Sequence, residues 1–307
     1  MKPLFSVVIP TFNSASKIHR ALDSVLAQTY ENFEILVMDD GSTDNTAEVL
    51  SSYNSPKIMY ENDTNFGGPA RPRNRGISLA NGEWICFLDS DDWWTNDKLQ
   101  NCFDIIDDKI DLIYHDLDIV SDQSLIFKRK IIKSRQLKKP ILIDLLVNGN
   151  PIANSSVVVR KSLLESIGGV NENQKLIASE DYNTWMRIAQ LTDQFLYIPS
   201  KLGFYLTHSQ SISKKDMSES YIESINEFVD SLNKRQLRAI ESNASYMSGR
   251  HYYIKKEYKV AFSKLLRSVI GGKSPVVMRA FLFLIIIMCK QLKHLIPFRK
   301  RFFNGQA

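Results

Sequence analysis

The sequence predicts an α/β fold: a Rossmann-like, mostly parallel sheet flanked by helices, followed by a C-terminal helical extension. Three observations predict it. Trp84–Leu88 is a continuous apolar run that suits a strand covered on both faces, and FSVVI at Phe5–Ile9 and FEILVM at Phe33–Met38 read as two further buried strands. Helix-period segments separate these runs, which is the alternation of a parallel sheet. From Glu219 to Val269 the pattern is helical, with no strand signal.

The elements follow in order. FSVVI at Phe5–Ile9 is β-branched, ends at Pro10 and leads into the loop Thr11-Phe12-Asn13. Ser14 or Ser16 can cap a helix carrying Ile18, Ala21, Leu22, Val25 and Leu26 on one face. FEILVM at Phe33–Met38 ends in Asp39-Asp40, and Gly41-Ser42-Thr43-Asp44 turns the chain, with Asp44 available as the next cap. Lys57–Tyr60 reads as a third strand. Arg71 and Arg73 precede a helix to Ala80, which Asn81-Gly82 stops. After the central strand come a helix near Thr95–Asp107, a strand at Leu112–His115 and a basic hairpin or loop at Ser124–Lys139. A strand at Ser155–Arg160, a short helix at Lys161–Ile167, a helix opening at Ser179-Glu180-Asp181 and a strand at Phe195–Ile198 complete the alternation.

The chain is organised around Glu83–Trp94, EWICFLDSDDWW. The buried strand stops at Asp89-Ser90-Asp91-Asp92. Clustered carboxylates repel one another and are costly to desolvate without a cation or donors. In open α/β sheets the ligand crevice lies at the carboxyl ends of the strands. The cluster is therefore placed to hold Mg²⁺ or Mn²⁺ through one or two carboxylates, with water and a diphosphate filling the other positions. An acidic turn before a helix also suits an N-cap, and Asp92 fits either role.

Bulk properties bound the function. At 307 residues the chain can bury a sizeable core. A net charge of +5 is too mild to argue for nucleic acid, and none is expected as a partner. Cys86, Cys102 and Cys289 lack metal-ligand spacing and imply no disulfide framework, so a reducing, cytoplasmic setting is expected. No secretory signal pattern precedes the first strand. The absence of Gly-x-Gly-x-x-Gly after that strand argues against a dinucleotide dehydrogenase, and no Walker-type P-loop occurs.

The strings SVVIPTFN, MDDGSTD, NFGGPARPRNRGISLANGEWICFLDSDDWW and ASEDYNTWMRIA span about Ser6 to Leu191. Together, in order and at this spacing, they resemble a family 2 glycosyltransferase of the GT-A fold. That resemblance implies an inverting enzyme that takes a sugar from a nucleoside-diphosphate sugar. By resemblance, Pro10, Thr11, Asn13, Asp39 and Asp40 hold base and ribose, and a carboxylate suits the imide N–H of uracil. One of Asp39 and Asp40 can equally do no more than stabilise the turn. Arg73, with Asn74, matches the family's Arg-Asn pair and faces the diphosphate or base, or else pairs with Asp40 or Asp89. Asp89 and Asp91 match the Asp-x-Asp signature, Asp91 as metal ligand and Asp89 on ribose or metal-bound water. Asp181 matches the Glu-Asp motif as general base; a helix cap is its other reading, and Glu180 is assigned to cap or support. His208 is a further candidate metal ligand, although Tyr205-Leu206-Thr207 stands where the family places an Arg.

The C-terminal region, 216–307 against a catalytic 1–215, is expected to carry a membrane-associated segment at 276–303. Val276–Met288 is apolar except for Arg279 and too short to span a bilayer, which takes about 20 residues. Lys290, Lys293, Arg299, Lys300 and Arg301 follow, mixed with aromatic and aliphatic residues. That pattern suits in-plane attachment to anionic lipid; burial against protein is the other reading. The expected partners are a UDP-sugar donor, a glycan or lipid-linked acceptor and the inner face of the plasma membrane, in surface polysaccharide biosynthesis. A sugar-nucleotide nucleotidyltransferase shares the strand-end Asp but wants a glycine-rich basic first loop. A non-catalytic sugar-nucleotide binder is the third reading, and the complete Asp89, Asp91 and Asp181 set argues against it.

Overall fold

The computed structural model describes residues 5–121, 130–208, 215–271 and 274–303. The chain divides into two compact units, one of residues 1–145 and 150–211, the other of 146–149 and 212–307.

In the first unit, β1 (Phe5–Thr11), α1 (Ile18–Leu26), β2 (Phe33–Asp39), α2 (Thr46–Ser51), β3 (Ile58–Asn62), α3 (Ala70–Leu79) and β4 (Trp84–Phe87) alternate as expected. All seven β1 residues are buried. β1 pairs in parallel with β2 and β4, and β2 with β3. The register sets Thr11 beside Asp39 and Val8 beside Phe87, so the C-terminal tips of β1, β2 and β4 share one sheet edge.

The second half follows as β5 (Trp93–Trp94), α4 (Lys98–Phe103), β6 (Leu112–Ser121), β7 (Lys130–Ile132), α5 (Ile141–Asn148), β8 (Val158–Arg160), α6 (Lys161–Ser166), α7 (Glu180–Ala189) and β9 (Phe195–Thr207). The sheet order is β3-β2-β1-β4-β8-β6-β9-β5, with β7 against β6. β8 is antiparallel to both β4 and β6, and β5 to β9, whereas β6 and β9 run parallel. The antiparallel graft is what strand periodicity alone does not reveal. The core between β1, β2, β4 and α1 includes Phe5, Ile9, Leu22, Ile35 and Trp84, all fully buried.

Several local expectations shift. The helix after the acidic cluster is only Lys98–Phe103, because Thr95 and Asn96 are tied elsewhere: Thr95 N donates to Leu202 O, and Asn96 O accepts from Thr29 N. Ser155 begins a 3₁₀ turn, Asn154–Ser156, ahead of a shorter strand. The hairpin or loop at Ser124–Lys139 falls partly outside the described residues; its described part includes β7, paired antiparallel with β6. Asp44 takes the N–H groups of Thr46 (3.0 Å) and Ala15 (3.1 Å), tying α2 to the loop after β1.

Gly41 shows why the turn after β2 has its sequence. Its φ of 77° is left-handed, and a Cβ there would lie 2.7 Å from Asn65 N and 2.9 Å from Asp63 O. At Gly76 a Cβ would sit 2.5 Å from Val8 Cγ1, so α3 packs onto β1 at a distance only glycine permits. That close approach brings Arg73 down onto the sheet edge.

The second unit holds α8 (Ser218–Ile225), α9 (Lys234–Ile254), α10 (Tyr258–Gly271) and α11 (Ser274–Phe303). The helical pattern from Glu219 is interrupted, since α8 ends at Ile225 and a 3₁₀ segment, Asn226–Ser231, follows. Asn233 starts α9 in a capping box with Gln236. Ala261 and Leu265 of α10 pack on Ala280, Leu284 and Ile287 of α11. Among the described residues no helix is long and apolar enough to cross a membrane.

Gly41→Ala is expected to lower the urea midpoint of the first unit by an amount worth about 2–3 kcal/mol, since it adds left-handed strain to a backbone clash. A midpoint equal to that of the wild type would show that the Asn65 backbone yields without cost.

Candidate functional site

The site is built at the tips of β1, β2 and β4. Asp40 N donates to Thr11 O at 2.8 Å, locking the first two tips together. Asn13 adopts φ 47°, and its Oδ1 accepts from Thr43 N (2.8 Å) and Asp44 N (3.2 Å). Asn13 therefore braces the loop after β2. Asp39 is fully buried: Oδ1 takes Ser42 N (2.9 Å) and Ser42 Oγ (2.7 Å), and Oδ2 takes Tyr60 OH (2.9 Å). Asp40 receives Phe66 N on Oδ1 (2.9 Å) and Gly67 N on Oδ2 (3.0 Å). Both carboxylates thus shape loops around the tip.

The acidic cluster divides by environment. Asp92 is buried and bridges two elements, accepting Ser155 Oγ at 2.6 Å and Leu206 N at 2.9 Å. It holds the end of β9 in place; the helix-cap role does not occur. Burial first, then the charges of Asp91 and Asp89, push its carboxyl well above the usual range. Asp91 is part-exposed, and its Oδ2 lies 2.9 Å from His208 Nε2. Burial and the Asp89 charge raise Asp91, while His208 acts the other way. Lys17 Nζ stands 3.5 Å from the same His208 nitrogen.

Asp89 is joined to a second segment. Arg73, only 4% exposed, donates from Nη2 to Asp89 Oδ1 (2.8 Å) and from Nη1 to Glu180 Oε1 (2.6 Å). Of the pairings expected for Arg73, the one with Asp89 forms and the one with Asp40 does not. Burial opposes its charge, yet the Asp89 and Glu180 carboxylates raise its pKa above the ordinary guanidinium value. Asn154 Nδ2 adds a third bond to the cluster, reaching Asp89 Oδ1 at 2.9 Å. Asn74 is occupied elsewhere, pinning Val170 and Glu172.

The bridge sets the start of α7 against the cluster. Ser179 is the residue preceding the helix and Asp181 lies within its first turn, where its Oδ1 takes Tyr182 N at 2.6 Å. Burial, and secondly the charge of Glu180, push Asp181 up to about 7; Arg73 counteracts them and Asp89 adds to them. A carboxyl poised near neutrality can exchange a proton at physiological pH. Trp185 of the same helix is buried against Phe87 as part of the core.

Arg73 joins Asp89 to Glu180, Asp91 pairs separately with His208, and the Asp89 charge acts on both Asp91 and Asp181. Thr11, Asn13, Asp39 and Asp40 stand on the neighbouring strand tips. Sequence reasoning missed Lys17, Asn154, Ser155 and Tyr60. The closest of these contacts in chain order spans 21 residues, so no local spacing could have announced them.

Asp91 Oδ2 and His208 Nε2 form an oxygen–nitrogen pair compatible with Mn²⁺ or Mg²⁺, ions that keep several positions for water and phosphate oxygens. Among the described residues no three His, Cys, Asp or Glu side chains form a complete metal-holding group. The donor set fits an ion shared with a ligand.

Residues 6–168 match the family described as Glycosyl transferase family 2. The chain is 33% identical to the amylovoran biosynthesis glycosyltransferase AmsB of Erwinia amylovora, over 66% of this chain and 69% of that one. It is 26% identical to an Escherichia coli protein, WfaP, named as a UDP-Glc:alpha-D-GlcNAc-diphosphoundecaprenol beta-1,3-glucosyltransferase, over 70% of this chain and 82% of that one. Its fold is similar to S. aureus TarS 1–349 in complex with UDP-GlcNAc, with a TM-score of 0.59, 22% identity and coverage of 94% of this chain and 89% of that one. The matched segment contains β1, the Arg73 helix and the Asp89–Asp92 cluster, and the mixed sheet is of the GT-A type. The chain is a glycosyltransferase and belongs to glycosyl transferase family 2.

Proposed function

We propose that the protein transfers a sugar from a UDP-sugar to a hydroxyl of a lipid-linked glycan, with inversion and with the help of Mn²⁺ or Mg²⁺. The observation that carries this reading is the Asp89–Arg73–Glu180 bridge, which sets Asp181 beside the acidic strand tip. On this reading residues 1–215 carry catalysis and 216–307 form the C-terminal region. Pro10, Thr11, Asn13, Asp39 and Asp40 form the wall for base and ribose. Asp89, bonded to Arg73, faces the ribose. Arg73 holds Asp89 in that orientation, and Lys17, beside His208, supplies a nearby cation.

The ion would be held by Asp91 and His208, and when bound it would supply Lewis-acid compensation of diphosphate charge. Asp181 takes the proton of the acceptor hydroxyl. That oxygen forms a bond to the anomeric carbon as the bond to the diphosphate breaks, and UDP departs with the electron pair. A single displacement from the opposite face inverts the centre. The likeness to WfaP supports a diphosphate-lipid acceptor. Such an acceptor suits work at the cytoplasmic face of the plasma membrane, in surface polysaccharide assembly, with the C-terminal segment as the attachment.

Four measurements test this. Asp181→Asn should cut transfer by about 10²–10⁴-fold while leaving UDP affinity unchanged, because a base acts on the acceptor. In the wild type, kcat/KM should rise with pH through about 7, as the raised carboxyl ionises and becomes a base. Turnover untouched by the substitution would remove Asp181 from this role.

Chelation should abolish transfer, and Mn²⁺ or Mg²⁺ should restore it to the wild type but not to Asp91→Ala. Full wild-type activity in chelator would end the metal assignment.

Arg73→Met strands two carboxylates and should cost about 3–5 kcal/mol of stability, read as a lower urea midpoint. If the midpoint holds, the bridge does not organise the site.

A further inference from the structure

The C-terminal unit carries a surface that the transfer chemistry does not use. On α11 one face is buried by α10 through Ala280, Leu284 and Ile287. The opposite face is apolar and open: Met278, Phe281, Leu282, Ile285 and Met288 recur at the three-and-four spacing of one helix side. Phe281 and Leu282 are 56% and 59% exposed, and Ile270 at the end of α10 is 81% exposed. An open apolar strip of this kind marks an interaction surface.

Charge identifies what covers it. Of the 39 Lys and Arg residues, 13 lie after Gly249, against one of the 34 acidic residues, Glu257. That stretch is +12 in a chain of net +5, so the rest carries −7. The thirty residues of α11 contain six Lys or Arg and no Asp or Glu. Packing this face against the same face of a second copy would set two strongly cationic segments together. A surface both apolar and anionic complements it, which is the composition of a bilayer rich in acidic phospholipid. Lys290, two residues beyond Met288, holds its Nζ 3.1 Å from Tyr253 OH and 3.3 Å from Tyr258 OH on the packed side of α11.

We infer that the solvent-facing side of α11, Met278–Phe281–Leu282–Ile285–Met288, is an in-plane docking face for an anionic lipid bilayer. The helix lies in the headgroup boundary with these side chains directed into the acyl region and the basic residues at phosphate level. The inference rests on the peripheral-membrane reading above and deepens it by naming the face that meets the bilayer.

The test is flotation of the full chain with vesicles of phosphatidylcholine alone or with 30% phosphatidylglycerol, a share chosen at about the level of anionic membranes. The wild type should float with the anionic vesicles and lose most of that binding in phosphatidylcholine alone or in high salt. Phe281→Glu/Leu282→Glu should lower partitioning at least tenfold, with UDP binding and circular dichroism unchanged as controls for folding. Wild-type flotation that the double variant retains would overturn the face assignment while leaving membrane attachment standing. No flotation with either vesicle would overturn both. A wild-type dimer in light scattering that the double variant converts to monomer would assign the face to a second copy and overturn the inference.

Discussion

Arg73 is the hinge of the site's electrostatics. Its guanidinium is almost wholly removed from water and is held by two carboxylates from distant segments, Asp89 at the end of β4 and Glu180 at the start of α7. A buried guanidinium needs both partners, and each partner needs it, because an uncompensated buried charge costs several kcal/mol. The pairing therefore fixes the distance between a strand tip and a helix start that the chain separates by about ninety residues. It also explains the close packing of α3 on β1. Only Gly76 allows the helix to approach Val8 closely enough to lower Arg73 onto that edge.

The carboxylates around this bridge experience different surroundings and so serve different ends. Asp39 and Asp40 are satisfied by donors from the turn and loop that they organise. Asp92 is deeply buried and serves as a strut between the 3₁₀ turn and β9. Asp91 keeps access to solvent beside His208, and Asp181 is raised toward neutrality by burial and by Glu180. One residue type thus yields loop organiser, strut, candidate metal ligand and candidate base. Desolvation and the number of donors to each oxygen set these differences.

The C-terminal unit obeys a different rule. Its helices bury one face each on small and branched residues, and α11 spends its second apolar face on the surface. The concentration of positive charge there is balanced by negative charge elsewhere in the chain, which is why the net charge looks unremarkable.

Much of the fold was legible in the sequence because strands covered on both faces are predominantly apolar: β4 is so throughout, and β1 and β2 depart from it mainly at Ser6 and Glu34 and at their polar tips. The acidic stops, the glycine turn at Gly41 and the order of the motifs likewise follow from local requirements of backbone and charge. The sequence by itself determined the strand–helix alternation, the edge at which the carboxylates gather, and the family. Tertiary structure alone decided which carboxylate meets which partner. Asp92 to Leu206, Arg73 to Glu180 and Lys17 to His208 are contacts across more than a hundred residues. No periodicity encodes such pairings, because they arise only when antiparallel β8 and the long β9 are inserted beside the parallel strands.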